Sequence, residues 1–252
     1  MSVSLPSRYL DQSTLRDRID HDELPAWAAE QYGTFRKTML DTDAPFPCYF
    51  GVESEATGMA RYAFCASTTD EDALAGLRET LYEYAKTFDS PGERVSLVVF
   101  FAPPETPLTE AEYGDRLWEI LQYLHDTDPE PWPYEIPADP DDPHWEFCFG
   151  GVPMFPTARA PFYEARRSRH NPHGLEITFQ PRAIFEGITG DTAAGRRARE
   201  VIRERADEYD AVCPHADLGD WGDPDDREWK QYLLPEAEGE SHRDCPLEIT
   251  KP

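Results

Sequence analysis

Long hydrophobic runs are missing from this 252-residue chain: none approaches the roughly 18 consecutive apolar residues of a membrane span. Met1–Ser13 also lacks the apolar centre of a secretory signal. A cytoplasmic chain with no membrane partner is the expectation. Lysine is scarce, with four residues against 20 arginines, and 24 basic side chains face 50 acidic ones for a net charge of −26. Such a surface repels nucleic acid and anionic lipid. The acids are scattered through predicted helices and loops alike, a composition that suits solubility in concentrated salt, where repulsion is screened. A halophilic cytoplasm is therefore expected. Cys48, Cys65, Cys148, Cys213 and Cys245 are odd in number and form no C-x-x-C, which argues against a disulfide framework and a structural zinc site. Also absent are G-x-G-x-x-G, the Walker phosphate loop, H-E-x-x-H, G-x-S-x-G and an EF-hand loop, so nucleotide-dependent, zincin and α/β-hydrolase chemistry lose their sequence support. The acidic stretches Asp139–Asp142 and Asp220–Asp226 lack calcium-loop spacing and read as solvated turns.

What is present is a foldable core, with 39% hydrophobic and 12% aromatic residues. The first forty residues read as helical: Asp22 is a candidate cap, Pro25 sits near a first turn, and Trp27, Ala28, Gln31, Phe35 and Met39 recur at helical spacing. The Pro-rich segment 44–51 reads as a turn. Residues 60–66 read as a buried strand containing Cys65, and Asp70 caps a helix with the stripe Leu74, Leu77, Leu81, Tyr84 and Phe88. Arg94–Phe101 is the strongest strand signal and is expected at the centre of a sheet. Thr109 with Glu112 forms a capping box, and the following helix ends where six prolines between 129 and 143 forbid regular structure. That loop carries eight acids from Asp126 to Glu146 and reads as a mobile or lid-like element. Strands are expected at 145–149, 152–155 and 175–180, and a helix from about Asp191 to Tyr209. The expected fold is one α+β domain over residues 1–252, with a mixed sheet covered by helices, a core at about 35–235 and an acidic, Pro-rich tail at 236–252.

Three segments carry side chains suited to chemistry. In Phe46-Pro47-Cys48-Tyr49-Phe50-Gly51, proline fixes the backbone before a cysteine, and a glycine behind it permits a tight turn. A thiol held this way serves as nucleophile or metal ligand once its pKa is lowered, or packs as an inert core residue. In His144-Trp-Glu-Phe-Cys-Phe-Gly-Gly151, strand alternation puts His144, Glu146 and Cys148 on one face. The stretch Thr157–Arg199 holds eight arginines and four acids, +4 in a chain whose remainder sums to −30. Within it Arg166, Arg167, Arg169, His170 and His173 gather around a turn, as in a pocket for carboxylates or phosphate. Arg196, Arg197 and Arg199 read instead as partners of Glu200 and Glu204 on a helix.

Phe46-Pro-Cys-x-x-Gly-Val-Glu53, the run Leu121–Asp128 continuing to Trp132, His144–Gly151, Arg167-Ser-Arg169, Phe179-Gln-Pro-Arg182 and Trp229-Lys-Gln-Tyr232 together resemble the YqcI/YcgG family. The resemblance spans about residues 35–235. It implies a haem-dependent N-hydroxylase acting on a guanidine or amine nitrogen of a small molecule, with an electron donor as partner. It also implies that Cys48, framed by Phe46, Pro47 and Gly51, is an axial thiolate to haem iron. On chemical grounds Arg167, Arg169 and Arg182 are then candidates to pair with the haem propionates, His144 for the distal side or opposite axial position, and Glu53 or Glu146 for a substrate guanidinium. Two alternatives stand beside this reading. One is a non-haem iron oxygenase using His144 and Glu146 with His170 or His215; the other is a haem or small-ligand binding protein without turnover.

Overall fold

The computed structural model describes residues 4–88, 95–190, 192–237 and 244–250. Two-residue strand β1 (Leu10–Asp11) leads into α1 (Gln12–Asp20), whose first turn is closed by the Asp11 carboxylate accepting from Thr14 N at 2.8 Å. Asp22 does not cap the next helix: it sits in the connecting turn at φ 55°, and α2 (Ala26–Met39) starts after Pro25. The expected turn at 44–51 is shorter than its composition suggests, because α3 (Tyr49–Thr57) begins directly after Cys48 and takes Gly51 into its first turn. Pro47 cannot continue a helix from its own N-terminal side but imposes nothing on the residues beyond Cys48.

Strand β2 (Arg61–Cys65) is followed by α4 (Glu71–Thr87), capped by Asp70 accepting from Ala73 N at 2.9 Å, and by β3 (Leu97–Phe101). Arg94, the expected first residue of that strand, lies outside the described residues, and pairing starts at Leu97. Helix α5 (Glu110–Asp126) opens with both halves of the expected capping box, Thr109 N donating to Glu112 Oε2 at 2.8 Å and Glu112 N to Thr109 Oγ1 at 3.3 Å. The expected strand at 145–149 contracts to β4 (Cys148–Phe149). Strand β5 (Val152–Arg159) runs four residues longer than expected, β6 (Glu176–Pro181) inserts between β3 and β5, and α6 (Ala193–Tyr209) follows.

The sheet order is β1-β2-β3-β6-β5-β4. Only β2 and β3 run parallel, joined by the α4 crossover, and the other four pairings are antiparallel. The apolar run of β3 is explained by its place: Leu97, Val99 and Phe101 enter a core with α4 and α5, while Val98 and Phe100 enter a second core with α1 and α2. The fold is a single α+β domain whose mixed sheet is covered by helices on both faces. Among the described residues no helix is long and apolar enough to cross a membrane.

The Pro-rich acidic loop lies over the α4–α5 face. Trp132 stacks near Trp145 at 6.1 Å, and Glu130 accepts from Lys86 Nζ and Tyr82 OH, each at 2.8 Å. Part of the expected tail also packs: Leu247 is buried, and Gln122 exchanges hydrogen bonds of 3.0 and 2.9 Å with the backbone of Glu248.

Candidate active site

On the opposite face, strand alternation sends Phe155, Thr157 and Arg159 of β5 and Glu176, Thr178 and Gln180 of β6 out of the core as three cross-strand pairs. They form the floor of an open cavity of about 360 Å³, roofed by Ala198, Ile202 and Ala206 of α6 and walled by Phe35 and Met39 of α2 and by the start of α3. None of residues 126–143 lines it, so the Pro-rich loop does not cover this cavity.

Cys48 is the N-cap residue of α3, half-buried, and lines the cavity beside Phe46, Pro47 and Gly51. A helix N-terminus stabilises a thiolate through its unsatisfied N–H groups and dipole. Gly51 does not serve the tight turn expected of it. Its contribution is space, because a Cβ at this position would lie 3.9 Å from Cys48 Sγ and 4.0 Å from Met39 Sδ. Phe46 packs edge-on against Tyr209 at 5.8 Å, and the Arg159 guanidinium stands 5.6 Å over its ring. Helical geometry turns Glu53 to solvent on the outer side of α3. The carboxylate that reaches the cavity wall is Glu55, which accepts from Gln12 Nε2 at 2.9 Å, Tyr32 OH at 3.2 Å, Tyr62 OH and Arg36.

The basic turn divides. Arg169 lines the cavity with Ala158 O at 3.5 Å, and burial pulls its pKa down. Arg167 is exposed instead, lying 4.8 Å over the Tyr209 ring and donating to Tyr209 O at 3.3 Å. Arg166 takes the inward position expected of Arg167. Glu236 accepts from the successive N–H groups of Glu164, Ala165 and Arg166, which fixes the turn, and Arg166 then donates to Pro235 O at 3.1 Å and Cys213 O at 3.4 Å. Arg159 donates to both Glu176 oxygens at 3.2 Å and to His170 O at 2.8 Å. Among the described residues, Arg166 Nη2 and Arg159 Nε are buried without a hydrogen-bond partner. Unmatched guanidinium N–H groups in a cavity wall are what a carboxylate or phosphate ligand requires.

Arg182 belongs to a different group. It grips Glu146 with two hydrogen bonds of 2.8 and 2.7 Å, pairs with Glu228, and lies against the Trp221 ring at 4.9 Å. Its Nε and Nη2 donors are thus committed to carboxylates of the chain itself. Burial and the neighbouring Glu228 push Glu146 up to about 8, and burial raises Glu228 as well.

His144, Glu146 and Cys148 do not gather at one site. The backbone before Cys148 is not assigned to a strand, yet Trp145, Phe147 and Phe149 still alternate into the core. His144 is more than half exposed, edge-on to Trp221 at 5.0 Å and 3.4 Å from Asp142, and outside the cavity. Cys148 is buried and its thiol pushed up by desolvation. His170 is bonded to Tyr163 O at 2.6 Å. Among the described residues no group of three His, Cys, Asp or Glu side chains is placed to hold a metal ion. The proposed non-haem iron ligands therefore do not converge.

Glu228 and Glu55 belong to none of the three segments singled out above, and Arg159 enters there only through a local charge sum. Glu228 was detectable as the residue immediately preceding Trp229-Lys-Gln-Tyr232, and Arg159 and Glu176 as charges on otherwise apolar strands.

Fold and cavity together define an α+β protein with an open, largely apolar cavity holding one cysteine at a helix N-terminus and two buried arginines, Arg159 and Arg166. The chain belongs to the YqcI/YcgG family, whose model matches residues 35–248. It is 38% identical over 234 residues to "Uncharacterized protein YcgG" of Bacillus subtilis, covering 91% of each chain. It is 34% identical over 229 residues to "Uncharacterized protein YqcI" of the same organism, covering 90% of this chain and 89% of the other. It is also 32% identical over 232 residues to the Streptomyces lavendulae protein named "Putative N(omega)-hydroxy-L-arginine synthase DcsA", covering 90% of this chain and 86% of that one. No solved structure matches the chain.

Proposed function

We propose that this protein is a haem-thiolate oxygenase that N-hydroxylates a guanidine or amine group of a small molecule. The observation that carries the reading is Cys48 at the N-terminus of α3, opening into an apolar cavity with the space beside its sulfur left clear by Gly51. The name of the Streptomyces relative supports the reaction class.

The residues present fit haem. Cys48 is the candidate iron ligand, aromatic and aliphatic side chains supply an apolar enclosure, and the two unmatched guanidinium donors suit propionates. The propionate partners in this reading are Arg159, Arg166 and Arg169, since Arg167 faces outward and Arg182 is bound to Glu146 and Glu228. Bound there, haem would supply the oxygen-activating redox chemistry that side chains lack, with Cys48 as the residue that would hold its iron. The chain's own contribution is to present the Cys48 sulfur at the N-terminus of α3, exclude bulk water with Phe46, Phe155 and α6, and orient the substrate nitrogen. A separate electron donor completes the reaction.

The test is an absorption spectrum of protein expressed with ample haem, recorded oxidised, reduced and reduced under carbon monoxide. A Soret band at the long-wavelength position of a thiolate–carbonyl complex, lost in Cys48→Ser, is expected. Folded, haem-supplied protein with no Soret band would falsify the proposal. Oxygen consumption with L-arginine then separates turnover from binding alone.

A further inference from the structure

The floor of the cavity is electrically polar along its length. Arg159 and Glu176 pair at one end, Phe155 and Gln180 at the other, so four strand steps, roughly 13 Å, separate them. Arg166 and Arg169 join Arg159 at the first end. Beyond Gln180 the chain reaches Arg182 and its two carboxylates, Glu146 and Glu228.

That second group is unbalanced. Two carboxylates share one guanidinium, leaving one negative charge in excess when both are ionised. The other charged groups facing it do not correct this: Arg199 of α6 is paired with Asp220, and Tyr232 beneath accepts from Phe147 N at 2.9 Å. Arg182 is further fixed by Phe185 at 5.4 Å and Trp221 at 4.9 Å. Glu146 is fully buried and bonded, whereas Glu228, with a side chain 5% exposed, lines the cavity; among the described residues no N–H or other O–H donor reaches its Oε1, which is left to the neighbouring Glu146 carboxyl. A buried carboxylate oxygen matched only by a proton shared with another carboxyl is open to a cationic donor that takes that proton's place.

We infer that Glu228, positioned by Arg182 and backed by Glu146, is the residue that recognises a cationic nitrogen of the ligand, at the end of the cavity away from Arg159. Without a cation the two carboxyls hold one proton between them, as burial and mutual repulsion demand. When a guanidinium or ammonium arrives, that proton leaves to the solvent, both carboxylates are ionised, and the ligand charge balances the excess; no electrons move. An uncharged isostere of the same shape cannot displace the proton. The inference rests on the cavity being the site for a guanidine or amine and does not require haem.

Calorimetric titration of the purified protein with L-arginine and with its uncharged counterpart L-citrulline, in two buffers of different ionisation enthalpy, tests it. Arginine is expected to bind at least about tenfold more tightly, as befits loss of a buried charge pairing, with proton release at pH 7 that fades above pH 9. Glu228→Gln is expected to shrink the preference to below about threefold while any Soret band stays unchanged. Equal affinities, arginine binding without proton release, no arginine binding, or an undiminished preference in Glu228→Gln each overturn the inference. Should Glu228→Gln fail to fold, the proton count of the unaltered protein decides. A missing Soret band with arginine preference intact sinks the haem reading alone.

Discussion

Arg182 holds two buried carboxylates at once, so its removal is expected to be among the costlier single changes in the chain. Arg182→Ala strands Glu146 and Glu228 without their counter-ion, and a loss of about 3–5 kcal/mol is expected in urea denaturation. Arg167→Ala, a truncation of an exposed side chain, is expected to stay within about 0.5 kcal/mol of the parent. These two arginines look alike in the sequence, each beside a family motif, and only long-range pairing separates them. The same limit explains the carboxylates. Glu53 is, with Glu146, a candidate for a substrate guanidinium by its chemistry alone, but the helix starting at Tyr49 aims it outward and brings Glu55 inward. Cys48 and Arg169 were legible because their local setting, a proline before one and a basic turn around the other, already restricts where they point.

At the scale of elements, periodicity spoke clearly wherever one face meets the core. The stripe of α4, the capping box of α5 and the unbroken run of β3 all yield the structure directly, since each encodes its own burial pattern. Helix α3 did not, as its nine residues are half-exposed, contain a glycine and follow a Pro-rich segment, so nothing in their spacing marks a face. That glycine gives an element-level prediction. Gly51→Ala meets only ordinary van der Waals contacts and is expected to stabilise the ligand-free protein by up to about 1 kcal/mol through helix propensity. The added methyl narrows the space beside Cys48 Sγ, so haem content per protein, read from the Soret-to-protein absorbance ratio, is expected to fall. A ratio equal to that of the parent would show that the space is not needed.

Across the whole molecule, acidity governs the response to solution conditions. Burial and the neighbouring Glu228 push Glu146 from its ordinary 4.5 up to about 8, so the folded pair holds a proton that the unfolded chain has already lost. Between those values the folded chain binds more protons than the unfolded one, so stability falls as pH rises, by at most about 1.4 kcal/mol per pH unit, and this slope ends above pH 8. Glu146→Gln takes away the share of the slope that comes from Glu146, and its Tm is expected to decline less between pH 5 and 8 than that of the parent. The net charge of −26 makes a second demand: Tm is expected to climb as sodium chloride is raised from low to molar concentration, because screening relieves self-repulsion. A flat or falling salt profile would count against the halophilic reading.

The sheet ends at both margins in strands of only two residues, β1 and β4. A margin that short offers an incoming chain almost no row of open backbone donors and acceptors to extend. Crowding this protein to the concentrations needed for spectroscopy or crystals is therefore expected to yield dispersed molecules or ordinary precipitate, and not the ribbon-like stacking that long bare sheet margins template.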